Sequence, residues 1–174
     1  MTPEAVADYL LGDQIALDAV TLADVAQQAG ANLPEDYKSF LMLRNGGFTS
    51  PTACEQPPLV TRDGHAIEQF YCVTSLEPDW SETSIRNYQV MTLRQWLEET
   101  GGDNVNVPPC WIVIGGNWDG NQFALDLSVP GGEVVWLDHE LLPNEDDNSF
   151  PTDDGVQRLG FTFKQFIEAL ETPA

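Results

Sequence analysis

The sequence predicts an α+β domain in which N-terminal helices and a further helix pack on a mainly antiparallel, twisted sheet that a C-terminal helix closes. Two observations predict it. Helical spacing framed by start and stop residues recurs near both ends and once in the middle of the chain. From Cys110 onward the pattern changes to short apolar or alternating segments separated by brief turns, which read as an antiparallel meander.

Residues 2–29 read as helical. Thr2, Pro3 and Glu4 open a segment with Val6, Tyr9 and Leu10 on one face, and a second start is expected at Thr21, with Asp24 three residues on and Gly30 as the stop. A third helix follows, with Pro34 in its first turn, Glu35 and Asp36 complementing the helix dipole, and Tyr37, Phe40, Leu41 and Arg44 at helical spacing. Asn45, Gly46 and Gly47 tolerate left-handed backbone and end it. Pro51, Pro57 and Pro58 mark a loop, after which 59–62 and 66–73 flank Asp63-Gly64 as a hairpin. Thr92 and Gln95 form a capping box before Leu93, Trp96 and Leu97, and this helix is expected to end at Gly101-Gly102.

The meander comprises 111–114, the alternating stretch 122–127, and 133–138 beyond the Pro130-Gly131-Gly132 turn. Residues 139–158 are polar and acidic and read as a long exposed loop. The last helix starts at Thr162, with Gln165 as its capping-box partner and Phe163, Phe166, Ile167 and Leu170 on one side.

With 174 residues and 42% hydrophobic content, the chain suits a single domain over 1–174 that buries one core. Its 28 acidic against 7 basic residues give a net charge of −21, which repels nucleic acid and anionic lipid and attracts a basic partner. A purely solubilising surface has the same composition. No apolar run reaches the ~20 residues of a membrane span, and no signal peptide is read in the first 11 residues. Cys54, Cys72 and Cys110 are odd in number and widely spaced, which suits reduced thiols and a cytoplasmic location.

Three stretches together resemble the SUKH superfamily, which includes bacterial immunity proteins and a fungal cell-wall regulator. They are Leu33-Pro34 through Asn45-Gly46-Gly47; the strand, glycine turn and strand from Trp111 to Asp126; and Glu133 to His139 followed by the helix carrying Phe163 and Phe166. The resemblance covers most of 20–171, with the proline-rich stretch 48–60 and the acidic stretch 139–158 as departures. It implies a non-catalytic protein-binding domain, an immunity protein that binds a cognate secreted toxin, favouring a nuclease. The alternatives are a regulatory interaction module of the same fold, or a small hydrolase.

Catalytic and metal readings find little support in the residues themselves. Asn117, Asp119, Asn121 and Asp126 do not follow a calcium-loop pattern, because Gly120 precedes Asn121 and position twelve is Ser128. His65 and His139 fit no metal-ligand spacing, and Cys72 and Cys110 lie in or beside apolar strands as structural thiols. No catalytic residue, metal or cofactor is therefore expected. The residues expected to meet a basic toxin domain are Glu145, Asp146, Asp147, Asp153 and Asp154 of the acidic stretch, with Trp118 and Asp119 of the glycine turn. For the acids the competing reading is a solvated charge run, and for Trp118 it is packing within its turn.

Overall fold

The computed structural model describes residues 1–11, 17–49, 57–73, 90–100, 107–141 and 155–172. The expected fold class is observed: helices pack on a seven-stranded, antiparallel sheet, and a C-terminal helix closes the core.

Helix α1 (Pro3–Tyr9) starts at Thr2, whose hydroxyl accepts from Ala5 N, and buries Val6 and Ala7. Helix α2 (Ala19–Ala29) starts earlier than the sequence predicts. Asp18, and not Thr21, is its cap: one carboxylate oxygen accepts from both the backbone and the hydroxyl of Thr21 at 2.8 Å. An ionised carboxylate satisfies the free amides of the first turn, which leaves Thr21 inside the helix. Gly30 ends α2 in the left-handed region, as expected.

Helix α3 (Glu35–Leu43) turns Tyr37, Phe40 and Leu41 inward, and Pro34 sits one residue before it as the cap position. Asp36 does more than complement the helix dipole, since it also accepts the backbone N–H of Lys164 at 2.8 Å and so ties α3 to the last helix. Arg44 is buried at the end of α3, where its guanidinium donates to Leu10 O at 2.8 Å and Gly46 O at 3.2 Å. Gly46 combines φ of +71° with tight packing, and a Cβ there would lie 2.7 Å from Phe70 O and 2.8 Å from Cys72 N. The asparagine-glycine helix end is thus required by the strand it lies against as well as by its own backbone.

Strand β1 (Gly47–Phe48) pairs with β4 (Gln69–Phe70), and β2 (Leu59–Val60) pairs with β3 (Ala66–Ile67) across the Asp63-Gly64 turn. The expected hairpin is therefore only partly realised, because its second arm divides between β3 and β4, which joins the main sheet. Strand β5 (Met91–Thr92) leads into α4 (Leu93–Thr100) through the expected capping box, with Gln95 N on Thr92 Oγ1 at 3.2 Å and Thr92 N on Gln95 Oε1 at 2.9 Å. The Gly101-Gly102 stop lies outside the described residues.

The meander is β6 (Trp111–Gly116), β7 (Gln122–Asp126) and β8 (Glu133–Leu137), with β9 (Val156–Arg158) beyond it. The main order is β1-β4-β6-β7-β8-β9, and β5 also pairs with β6. Here the sequence reading needs correction at its acidic stretch: 156–158 form a strand paired with β8 and are not loop. The reason is Arg158, which lies opposite Val135 and bonds the carboxylates of both Asp126 and Glu133. Alternation in β7 likewise does not give a solvent face, since Gln122 and Asp126 are buried. Gln122 accepts from the Tyr71 hydroxyl and donates to Gly120 O at 2.6 Å, so its polar ends are satisfied.

Helix α5 (Phe163–Ala169) has the predicted Thr162/Gln165 capping box. Its Phe163 meets Tyr37 at 4.8 Å and Phe40 at 5.3 Å, and its Phe166 meets Phe123 of β7 at 5.2 Å between ring centroids. These aromatics bind α3, α5 and the sheet into one core. The Tyr37 hydroxyl is buried there with no hydrogen-bond partner among the described residues, and burial holds its ionisation far above the ordinary phenol range. Tyr37→Phe is therefore expected to raise the stability by about 1 kcal/mol, by removing an unsatisfied polar atom while keeping the ring. Chemical denaturation checks this, and a loss of stability would show that the hydroxyl is satisfied in solution.

Candidate partner-binding surface

The turn joining β6 to β7 is built by Asn117 and Asn121. Asn117 Oδ1 accepts from Asn121 N at 3.0 Å, Asn117 N donates to Asn121 O at 3.0 Å, and Gly120 takes φ of +97°. This geometry projects Trp118 and Asp119, and Trp118 remains 46% exposed. Glu68, between β3 and β4, accepts the backbone N–H of Trp118 at 2.6 Å and is held beside the turn. Burial raises the Glu68 carboxyl above the ordinary carboxylate range, and the charge of Asp119 adds to the shift against the opposing Trp118 N–H bond.

A second turn, 138–141, follows β8 and packs on the first. Asn121 Oδ1 accepts from His139 N at 3.1 Å and also lies 3.1 Å from His139 Nδ1. The His139 ring lies so close to Gly120 that a Cβ there would sit 3.0 Å from it. Asp138 caps Glu140 N at 3.0 Å, and Leu141 is 48% exposed. Gly155 returns to the same place, its carbonyl accepting from Asp138 N at 2.9 Å. Leu141 and Gly155 are thus held on the same turn, beside Trp118.

The structure brings Trp118 and Asp119 together with groups that sequence reasoning missed: Glu68, Leu141 and the Asn121–His139 pair. Glu68 belongs to no motif, and only the fold carries it to a turn 50 positions away. Glu145, Asp146, Asp147, Asp153 and Asp154 lie outside the described residues. The sequence has no Lys or Arg between Arg94 and Arg158, and the ion pairs among the described residues all lie elsewhere. Among the described residues, this end of the sheet carries the carboxylates of Glu68 and Asp119 outside any ion pair, with Trp118 and Leu141 exposed on it.

Other constellations are less suited to function. His65 stacks on Trp136 at 4.4 Å and its Nε2 meets Gln157 Oε1 at 3.0 Å. Burial pushes the Cys72 thiol up, away from the thiolate a nucleophile needs. Cys110 is less enclosed than the sequence suggests: it is half-buried, has φ of 64°, and its sulfur faces Gly30 O at 3.8 Å. Cys54 lies outside the described residues. Among the described residues, no group of three or more His, Cys, Asp or Glu side chains is arranged to hold a metal ion, and no helix is long and apolar enough to cross a membrane. An open groove of about 690 Å³ between α2 and α3 has as its charged lining groups Glu35 and Lys38, which pair with each other at 2.7 Å.

The sequence profile of the SMI1 / KNR4 family (SUKH-1) matches residues 16–169. No curated protein and no solved structure gave a match.

Proposed function

The chain belongs to the SMI1 / KNR4 family (SUKH-1), a family of immunity and protein-binding type, and from that premise we propose that it is a cytoplasmic immunity protein that neutralises a cognate secreted toxin. The observation that supports this most is the joint placement of the exposed Trp118 and Leu141 with Gly155 at one end of the sheet. Trp118 supplies a rigid apolar anchor of the kind that dominates interface energies. Asp119, Glu145, Asp146, Asp147, Asp153 and Asp154 supply negative charge that steers a basic surface toward it. A nuclease carries such a surface to hold its phosphate substrate, and a protein seated there blocks access without any covalent chemistry.

The test is co-expression with the product of the adjacent gene, followed by association kinetics across salt concentrations. Neutralising the five acids of 142–154 to Asn and Gln is expected to slow association at least tenfold at low salt and to flatten the salt dependence. Trp118→Ala is expected to speed dissociation about 30-fold, equivalent to ~2 kcal/mol for an anchoring aromatic. Absence of any complex, or rates equal to wild type in both variants, would overturn the assignment.

A further inference from the structure

We propose that Trp118, Asp119 and Glu68 form a receptor for one arginine side chain of the partner, its guanidinium stacked on the indole and hydrogen-bonded to the two carboxylates. The inference rests on the binding surface proposed above and names the group recognised there.

The fold already contains this arrangement in filled form at the other end of the same strand. Trp111 opens β6, and the guanidinium of Arg158 lies 5.5 Å from its ring centroid while bonding Asp126 at 2.8 Å and also Glu133. One indole and two carboxylates there hold one guanidinium. Trp118, two residues beyond the end of β6, offers the same kinds of group: an exposed indole, Asp119 next to it in sequence, and Glu68, whose carboxylate accepts the Trp118 backbone N–H and lies within reach of the Asp119 charge; among the described residues no cation pairs with them.

The three groups are also free to receive it. Among the described residues, the Trp118 ring makes no aromatic or cation contact and Asp119 makes no ion pair or hydrogen bond, while the carboxylate of Glu68 accepts only from Trp118 N. Glu68 and Asp119 repel one another, and partial burial adds to the cost of keeping Glu68 ionised. A cation between them offsets both costs. Arginine suits the site better than lysine because its planar fork can stack on an indole and donate to two carboxylates at once, whereas an ammonium is a compact, strongly hydrated charge.

Calorimetric titration of the full chain with two peptides of equal length and charge, (Gly-Arg)4 and (Gly-Lys)4, tests this at moderate salt. The wild type is expected to bind the arginine peptide about tenfold more tightly, the factor for a partly desolvated cation–π contact plus a paired carboxylate. Trp118→Ala, and separately Glu68→Gln with Asp119→Asn, should abolish the preference, bringing the arginine and lysine affinities of each variant within about twofold of one another. Glu68→Gln keeps an acceptor for Trp118 N–H, and an unchanged melting temperature in each variant confirms that folding is not the cause. Equal binding of both peptides by the wild type, or an arginine preference that survives Trp118→Ala, overturns the arginine receptor while leaving the basic-partner reading intact. No binding of either peptide overturns both.

Discussion

Phe166→Ala is expected to lower the stability of the folded chain by about 4 kcal/mol, the upper range for emptying a well-packed aromatic site. Phe166 is fully buried in α5 and contacts Phe123 of β7 and Phe163 of its own helix, so truncation opens a cavity where the terminal helix closes the sheet. Phe123 and Phe163, the rings it meets, are themselves buried and held in the core, which limits how far the site can collapse. Against a total stability of about 5–15 kcal/mol, the loss should be visible as a large fall in denaturation midpoint with an unchanged slope. Phe166→Leu should cost less than half as much. A loss below about 1 kcal/mol for the alanine variant would mean that α5 does not hold the core in the way these contacts indicate.

The second large effect is expected at Asp126, whose side chain is 1% exposed. Burial opposes its ionisation, but hydrogen bonds from the Ser128 hydroxyl, Arg158 and Ser128 N together outweigh it and hold the carboxyl below the ordinary carboxylate range. Asp126→Asn removes the charge and weakens these bonds, and is expected to cost about 2 kcal/mol at pH 7. The cost stays below that of a fully buried pair because Arg158 is half exposed and keeps Glu133. The pH dependence has a definite sign. A carboxyl depressed in the folded state contributes stability above its unfolded value and loses it as pH falls through the folded one. The difference between wild type and Asp126→Asn should thus be constant from neutral pH to about 5 and shrink below about 4. A difference that grows on acidification would contradict the network.

Much of this was legible in the sequence because the signals are local. A Thr at the cap and a Gln three residues later specify a helix start through bonds that span one turn, and the boxes at Thr92 and Thr162 form as read. Three apolar segments joined by short turns leave the antiparallel meander as the simplest pairing, and it forms. The errors arose where local choices compete. Asp18 displaced Thr21 because it caps one turn earlier and takes the Thr21 N–H itself, which leaves Thr21 inside the helix. The 139–158 stretch looked uniformly solvated, yet its last residues are drawn into the sheet by an arginine whose two acidic partners lie 25 and 32 positions away.

The surface at the Trp118 turn divides in the same way. The glycine turn, the flanking tryptophan and acid, and the charge excess are properties of neighbouring residues and of composition, so the sequence by itself determined the fold class, the family and the negative sign of the surface. Whether Trp118 packs or projects, which carboxylate joins it, and that His139 packs on its turn were decided only by the tertiary structure. These depend on pairing register: β4 against β6 carries Glu68 to the turn, and β7 against β8 lays His139 on Gly120. A contact between residues 50 positions apart has no local energetic signature, because it exists only once the strands between them have paired.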